Sequence, residues 1–390
     1  MLIFSIETSC DETAIAIVKA KKNKNYNFRV LANVVLSQIK DHAKFGGVVP
    51  NLSARLHLEN IIPCVDNAFK KAKILPKQID LITVTRGPGL IPALLIGTQT
   101  AKIFSYLWQK PLVGIHHIEG HIYANFIKNK ISAIFNLPVG RQISNSQFPI
   151  LCLVVSGGHT QLVLMKKHLN YKIIGETLDD AVGEAFDKTA RILGLGYPGG
   201  PAISQFAAKW KSEIPNSQPK AGLLQRRMNI GLKHLAGKFQ IKFPRPMINS
   251  KDFNFSFSGL KTAVLYTVQK NKKLLKNEKF IQSISYEFQQ SAIDVLISKT
   301  IKAARKYNPK IIMLAGGVSA NKELRKQLNE TVKKSLHGVK YIMPDIKYST
   351  DNSVMIAVAG YYRWQNMSKL QRKKAFDNWK RLKASANLKL

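Results

Sequence analysis

The sequence predicts an α/β protein built from two related halves. Short apolar segments alternate with segments whose apolar residues recur at helical spacing along the 390 residues. A strand–turn–strand pattern opens the chain at Leu2 and recurs from Ile150. The chain is 45% hydrophobic and 21% charged, which is ordinary for a folded globular protein. Because alternating strands and helices form layers, we expect two or three domains in which helices cover sheets.

The first half contains two strands around a polar turn, followed by strands that alternate with helices. Apolar residues between Ala54 and Ala72 recur every three or four positions, which indicates a helix. Arg86–Gly89 reads as a turn between a strand and the next helix. The predicted strands are Leu2–Ile6, Ala14–Val18, Ile79–Val84 and Pro111–Ile115, and the predicted helices are Ala54–Ala72, Leu90–Leu107 and one starting at His116 or His117.

The second half repeats the opening pattern after residues 131–149, where Pro138, Gly140 and Pro149 indicate a boundary between lobes. No close sequence repeat accompanies the repeated pattern. The predicted strands are Ile150–Val155, Gln161–Met165 and Lys310–Leu314, and the predicted helices are one running to Leu193, one starting near Ser319 and one at Val354–Tyr362.

The charge balance indicates an anionic partner. Lys and Arg outnumber Asp and Glu by 60 to 23, and the formal net charge is +37. RNA, DNA or an anionic membrane fits such a surface, although a lysine-rich coding bias would also raise the number. Basic residues are concentrated in segment 209–251 and in the tail 363–390. Segment 209–251 either binds a partner or is a solvated insertion, and the tail either binds a partner or packs on its own domain.

Cysteine usage and hydropathy indicate the cytoplasm. Cys10, Cys64 and Cys152 are an odd number without a CxxC motif, which argues against a disulfide framework. Met1–Glu7 shows no secretory signal. The longest apolar segments are interrupted by polar residues, so we expect no membrane span.

Two histidines form the sharpest local signal for a metal site. His117 and His121 are four residues apart, so their imidazoles share one helix face and can reach one metal ion. A carboxylate from elsewhere would have to complete the set, and the alternative is an ordinary surface or core pair. In a zinc peptidase the Glu directly follows the first His. Here Glu119 comes two residues after His117 and points away from that face, which disfavours a peptidase.

Two glycine pairs follow predicted strands. Ser156–His159 allows backbone N–H groups to approach a phosphate or carboxylate, although an ordinary hairpin turn would have the same sequence. The Gly316-Gly317 pair suits contact with a nucleotide base or ribose. Asn321 either bonds that ligand or caps the helix that follows.

Carboxylates occur at three further places. Asp11 and Glu12 lie in the first polar turn, where Asp11 can also bond its own turn amides. Asp351 precedes a helix, where capping is the usual role of Asp. Four further acids lie on one predicted helix: Asp179, Asp180, Glu184 and Asp187. They either form ion pairs with the basic surface or hold a ribose or a metal ion.

Taken together, nine segments resemble the tRNA N6-adenosine threonylcarbamoyltransferases, with the bacterial form closest. Their order from residue 5 to about 360 is that of the family. The matching segments are Glu7–Glu12, Gly87–Leu90, His116–His121, Val155–Thr160, Gly183–Lys188, Tyr197–Pro201, Phe257–Thr262, Ala315–Asn321 and Thr350–Asn352.

This resemblance implies an actin-like ATPase fold, with two RNase H-like lobes around a nucleotide cleft. The first lobe is expected to comprise residues 1–145 plus 355–390. The second is expected to comprise 146–354, with a basic insertion near 213–243.

The resemblance also implies the site and its reaction. A metal, Fe2+ or Zn2+, would be held by His117, His121 and Asp351. The threonylcarbamoyl group would pass from threonylcarbamoyl-AMP to N6 of adenosine-37 in tRNAs that read codons beginning with A, releasing AMP, with ATP sharing the nucleotide site. Asp11 is the candidate for deprotonating the amine, with Glu12 in support. The implied substrate-binding residues are Val154, Val155, Ser156, Gly157, Gly158, Asp187, Gly200 and Asn321.

Besides tRNA, the implied partners are a degenerate actin-like paralogue and a small P-loop ATPase. Pro92, Ser204 and Asn254 depart from residues common in the family, and none belongs to the metal set. Two rival functions are a small-molecule kinase of the same fold, which would have no use for the metal set, and a non-catalytic RNA-binding scaffold, which would need an inert cleft.

Overall fold

A computed structural model of the chain describes residues 1–22, 26–127, 148–213, 239 and 241–390. The strands are β1 Leu2–Glu7, β2 Glu12–Lys22, β3 Tyr26–Ser37, β4 Leu81–Gly87, β5 Leu112–His116, β6 Ile150–Val155, β7 Thr160–Lys167, β8 Asn170–Glu176, β9 Ile311–Ala315 and β10 Lys340–Ile342. The helices are α1 Ile39–Ala43, α2 Pro50–Ala72, α3 Ile91–Trp108, α4 His117–Tyr123, α5 Val182–Ile192, α6 Gly199–Glu213, α7 Ser258–Lys270, α8 Glu278–Tyr307, α9 Lys322–Ser335, α10 Ser353–Asn366, α11 Lys369–Ala375 and α12 Asn378–Arg381.

The described strands form two five-stranded sheets with the same topology. The first has the order β3-β2-β1-β4-β5 and the second the order β8-β7-β6-β9-β10. In each sheet the first three strands in sequence form antiparallel pairs. The fourth strand then pairs parallel with the first, and the fifth pairs parallel with the fourth. The equal order and direction of the strands confirm the prediction of two related halves.

The described elements that were not predicted include strands at the sheet edges and the helices α6, α7 and α8. The strands β3, β8 and β10 were not predicted, and all three are edge strands. An edge strand carries fewer buried side chains, so β8 has no continuous apolar run to reveal it. The helix predicted to carry Asp179 and Asp180 begins only at Val182, so both acids precede it. The predicted start of that helix was therefore wrong.

A shared apolar core joins the two sheets. Helix α10 lies against β1, β2 and β5 of the first sheet and against α4. Its residues 354–359 are fully buried, in one cluster with Ile3 and Ile115 of the first sheet and Ile150 and Met313 of the second. The turns that follow β1, β4, β6 and β9 lie at the carboxyl ends of these strands. Open α/β sheets bind ligands at the carboxyl ends of their strands.

Two predicted features fall partly outside the described residues. These are most of the boundary segment 131–149 and most of the basic insertion near 213–243. The division into lobes at 145 and 355 stays a prediction. Across the part of the chain that the structure describes, no helix is long and apolar enough to span a membrane.

Candidate metal and nucleotide site

The tertiary structure brings His117, His121 and Asp351 into one cluster. Their candidate ligand atoms all lie within 4.8 Å of one another. His121 Nε2 is 3.1 Å from His117 Nε2 and 3.1 Å from Asp351 Oδ1, and His117 Nε2 is 3.5 Å from the same oxygen. Two imidazole nitrogens and one carboxylate oxygen facing a common point are a donor set that suits zinc or iron.

Two elements position these ligands. His117 is the first residue of α4 and His121 lies one turn later, so both rings lie on the same side of the helix, as their spacing predicts. Asp351 precedes α10, but the side chain that caps this helix is that of Asn352, which accepts a hydrogen bond from the Met355 amide at 3.1 Å. The carboxylate of Asp351 is therefore left to face the histidines.

Glu7 and Ser9 hold His117 from the opposite side. Glu7 is fully buried, and its Oε2 lies 3.2 Å from His117 Nδ1. Ser9 Oγ lies 3.1 Å from the same nitrogen, and the Ser9 amide donates to Glu7 Oε1 at 2.6 Å. With Nδ1 hydrogen-bonded in this way, Nε2 faces the cluster, which is how carboxylates orient metal-ligating histidines. Sequence reasoning did not identify Glu7, although a carboxylate ending a buried strand was a usable signal.

The electrostatics of this cluster fit a bound cation. Burial lowers the pKa of His117, but Asp351 and Glu7 outweigh it and raise that pKa to about 9. Burial raises the pKa of Asp351, but His117 and His121 lower it to about 2. Two carboxylates thus stabilise a positive charge at His117, and a divalent ion would take the place of that proton.

The other polar residues of the histidine motif serve the fold. Glu119 is fully buried and forms a two-point ion pair with Arg363, at 2.7 Å to Nε and 2.6 Å to Nη2. His116 accepts from the Ile118 amide and donates to the Leu388 carbonyl, so it faces away from the ligands. The expectation that Glu119 points away from the metal face is confirmed.

Four glycines have open space beside them, three in the turns after β6 and β9 and one, Gly200, in the first turn of α6. A Cβ added to Gly157, Gly158, Gly200 or Gly317 would meet nothing within 4 Å. By contrast, a Cβ on Gly316 would lie 2.3 Å from the Val155 carbonyl oxygen, so the turns after β6 and β9 touch there. Exposed backbone beside an open space is what a nucleotide phosphate or ribose requires.

The side chains around this space are mostly engaged in holding its walls. Val154 and Val155 are fully buried within the sheet, so neither presents a side chain to the open space. Ser156 Oγ accepts from the His159 amide at 3.1 Å, and Asp187 Oδ1 accepts from the Gly199 amide at 2.7 Å. Asn321 caps α9 through the Leu324 amide at 2.9 Å.

The amide group of Asn321 also ties α9 to neighbouring helices. It donates to Ser204 Oγ at 3.0 Å and to Gln289 Oε1 at 2.8 Å. The capping interpretation of Asn321 is therefore correct, and a ligand contact would be additional to it.

Three acids of the predicted cluster have structural partners. Asp179 accepts from the Phe257 and Ser258 amides and so caps α7. Asp180 and Glu184 both pair with Lys188, at 2.7 and 2.8 Å. The fourth acid, Asp187, accepts from the Gly199 amide as described above.

Asp11 and Glu12 lie in the same neighbourhood as the metal cluster. Burial, followed by the charges of Asp11 and Asp351, raises the pKa of Glu12 well above its ordinary value. Asp11 Oδ2 accepts from the Tyr197 hydroxyl at 3.4 Å, a contact that reaches across to the segment before α6. Cys10 is unreactive by comparison, because burial and nearby carboxylates raise its thiol pKa.

Sequence comparison identifies relatives of this arrangement. A sequence model of the tRNA N6-adenosine threonylcarbamoyltransferase family matches residues 29–358. A protein of that name from Syntrophomonas wolfei is 44% identical over 94% of this chain and 94% of its own length. The Bacillus subtilis protein is 44% identical over 92% and 90%, and the Thermosipho africanus protein is 43% identical over 100% of both chains. The chain belongs to this family.

Membership confirms the family, the actin-like fold class and the transferase class that the motifs predicted. It implies the use of a divalent metal and a nucleotide, for which His117, His121 and Asp351 are a possible metal set.

The departures from the family pattern have local structural explanations. Pro92 lies in the first turn of α3, where a missing N–H is tolerated. Asn254 accepts from the Glu176 amide, and Ser204 donates to the Gly200 carbonyl at 2.8 Å.

Proposed function

We propose that this chain transfers the threonylcarbamoyl group of threonylcarbamoyl-AMP to N6 of adenosine-37 in tRNAs that read codons beginning with A, in the cytoplasm. The observation that carries this proposal is the position of a His-His-Asp cluster and an open, glycine-lined space in one chain of this family. The products are the modified tRNA and AMP.

His117, His121 and Asp351 would hold one divalent ion, Fe2+ or Zn2+. When bound, such an ion polarises a carbonyl oxygen and stabilises negative charge that develops on it. The chain's own contribution is to hold the ligands in place, since Glu7 and Ser9 fix the orientation of His117. Zinc and iron both accept this donor set, and elemental analysis of the purified protein distinguishes them.

The adenylate would lie in the open space, with the backbone of residues 154–158 and the side chains of Asp187 and Asn321 around it. The backbone amides of Gly157 and Gly158 can donate to phosphate oxygens, because no side chain covers the two glycines. The Ser156 amide already donates to the His159 carbonyl at 2.8 Å. Gly200 and Gly317 leave room for the ribose and base on the facing wall. This arrangement would position the carbamoyl group toward the metal cluster.

Asp11 is the proposed acceptor for the proton of the attacking amine, with Glu12 in support. Burial and the charges of Asp11 and Asp351 raise the pKa of Glu12, which favours the protonated form of this supporting carboxyl. We expect Asp11→Asn to reduce transfer by roughly 100- to 10,000-fold, the range usual for loss of a general base, with adenylate binding retained. Single-turnover transfer and a separate adenylate-binding assay would measure the two quantities. Transfer at the wild-type rate in a folded variant would remove Asp11 from the mechanism.

The decisive test of the function is transfer of radiolabelled threonine to an unmodified tRNA transcript. The mixture contains ATP, bicarbonate and an enzyme that forms the adenylate, and wild type is compared with His117→Ala. We expect label in the tRNA with wild type and none above background with the variant. His337→Ala, which changes an exposed histidine, is the matched control and should behave as wild type.

Failure of transfer would favour the rival functions in distinguishable ways. ATP consumption driven by a sugar or other small molecule, without any need for bound metal, would favour a kinase. Tight tRNA binding without turnover in every mixture would favour a scaffold.

The basic surface is proposed to bind tRNA phosphates. In the tail, Lys369, Lys373 and Lys374 are exposed although the tail packs on its own chain. Reversing these three charges to Glu should lower tRNA affinity. The slope of that affinity against salt should also fall, by up to roughly 0.9 for each phosphate that the tail no longer neutralises.

The matched control reverses Lys272, Lys273 and Lys276, which are also exposed and change the net charge by the same amount. Filter binding at several salt concentrations compares the two variants. Equal effects of both would show that net charge alone, and not the tail, attracts the tRNA.

A degenerate actin-like paralogue and a small P-loop ATPase are the proposed protein partners. Adjacent helices α2 and α3 leave Leu58, Ile62 and Leu95 exposed, by 64%, 58% and 41%. Exposed apolar side chains on neighbouring helices are typical of a protein interface. The transfer assay is therefore run both without and with these partners, and the second mixture alone gives activity if they are required.

A further inference from the structure

The last residues of the chain contact the elements that lie next to the proposed metal ligands. After α12, residues 382–390, here termed the C-terminal strap, continue without helix or strand. Helix α12 is anchored where Asn378 donates to the Leu112 carbonyl at 2.6 Å and Trp379 packs on Tyr106. The strap begins against β5, since a Cβ on Gly114 would lie 2.6 Å from the Leu382 side chain.

The strap next bonds the end of β4 and the turn that follows it. The Ser385 amide donates to the Arg86 carbonyl at 2.8 Å, and the Gly89 amide donates to the Ala386 carbonyl at 3.2 Å. Gly87 has no room for a side chain, because a Cβ there would lie 1.9 Å from the Ser385 carbonyl oxygen. The strap and this turn therefore contact each other through backbone atoms, with no room for an added side chain at Gly87.

One route from the strap to the metal ligands passes through His116. The imidazole donates from Nε2 to the Leu388 carbonyl at 3.0 Å and accepts at Nδ1 from the Ile118 amide at 3.1 Å. These partners fix the tautomer of His116 and make its side chain the N-terminal cap of α4. His117, the next residue, begins that helix.

A second route passes through the turn and Ser9. The Leu90 amide donates to the Ser9 carbonyl at 2.9 Å, and a Cβ on Gly89 would lie 2.9 Å from the Ser9 Cβ. Ser9 Oγ lies 3.1 Å from His117 Nδ1. Two separate chains of contacts thus lead from the strap to the same imidazole.

We infer that the C-terminal strap positions His117 for metal binding, through His116 on one side and Ser9 on the other. This inference rests on the proposal that His117, His121 and Asp351 hold a divalent ion. Among the described contacts the strap bonds Arg86, Gly89 and His116 rather than the three ligands, so its residues are positioning residues. Their loss is expected to alter the affinity and geometry of the metal site while the two sheets remain folded, because the strap lies outside their strands.

The test measures metal binding rather than activity. Zn2+ affinity is determined by chelator competition, and Co2+ is used as a probe whose visible spectrum reports ligand geometry. Wild type and His117→Ala define the two limits. The test variants are a chain that ends at Lys383 and the full-length Ser385→Pro, which lacks the amide that bonds Arg86. Lys389→Ala, an exposed change within the strap, is the control.

We expect the shortened chain to bind Zn2+ about 10- to 100-fold more weakly, as is usual when a partner of a metal ligand is lost, and to show an altered Co2+ spectrum. Ser385→Pro should weaken binding in the same direction, and Lys389→Ala should match wild type. Should the shortened chain fail to fold, Ser385→Pro decides the question alone.

Wild-type Zn2+ affinity and an unchanged Co2+ spectrum in the strap variants would overturn the inference, even if their metal-free melting temperature fell. Wild-type protein that binds neither ion at His117 would overturn the metal proposal and this inference with it. The comparison of wild type with His117→Ala separates the two failures.

Discussion

Asp351→Asn is expected to lower the affinity for a divalent metal by more than about 100-fold, beyond the effect typical of losing a partner of a ligand. The neutral amide donates less charge to the ion and leaves two imidazoles without a carboxylate between them. Threonine transfer to tRNA should fall by a similar factor. Metal content after gel filtration, chelator competition and the transfer assay measure the three effects.

The same variant has a prediction that needs no metal. Burial lowers the pKa of His117, and Asp351 is the largest of the charges that raise it to about 9. In metal-free protein, Asp351→Asn should therefore bring that pKa down, which an NMR titration of the imidazole records. Glu330→Gln, a change of an exposed carboxylate on α9, is the matched control. A His117 titration identical in wild type and Asp351→Asn would contradict the contact between them.

Arg363→Ala is expected to give the largest loss of stability, about 3 kcal/mol in the free energy of unfolding. Glu119 is fully buried, and its ion pair with Arg363 joins α4 to α10. Removing one member of a buried pair typically costs 3–5 kcal/mol, because the other charge is left uncompensated. The lower end applies since the Arg363 side chain is 38% exposed. Urea unfolding measures the change.

The cost of Arg363→Ala should grow with pH. Burial raises the pKa of Glu119 above its ordinary 4.5, and Arg363 lowers it only part of the way back. A raised carboxyl pKa in the folded state means that stability falls as pH rises through that value. Without Arg363 the pKa rises further, so the difference from wild type should be smallest below pH 4.5 and largest near pH 8.

Two comparisons make this prediction specific. Glu119→Gln in the Arg363→Ala background should recover part of the lost stability, because it removes the buried charge. Lys380→Ala, which breaks the exposed pair with Asp377, should cost about 0–1 kcal/mol. A cost of Arg363→Ala that is equal at pH 5 and pH 8 would show that lost packing, not the charge on Glu119, is responsible.

The sequence by itself determined the fold class, the family and the spacing of the histidines. Regular alternation of apolar runs specifies layers of strands and helices, and the repeated strand–turn–strand openings specify related halves. His117 and His121 share a face simply because α-helical residues four apart do so. These properties are local, so they are readable without knowing what lies nearby in space.

Only the tertiary structure decided which residues meet. Asp351 reaches the histidines because α10 packs beside α4, and Asn352 takes over the capping role that Asp351 would otherwise fill. Glu7 became visible as the partner of His117 only when β1 and β5 were placed in one sheet. The C-terminal strap has no motif, and its role follows from backbone hydrogen bonds to Arg86, Gly89 and His116. Contacts between residues hundreds of positions apart depend on how helices and strands pack against one another. No single local sequence pattern specifies that packing.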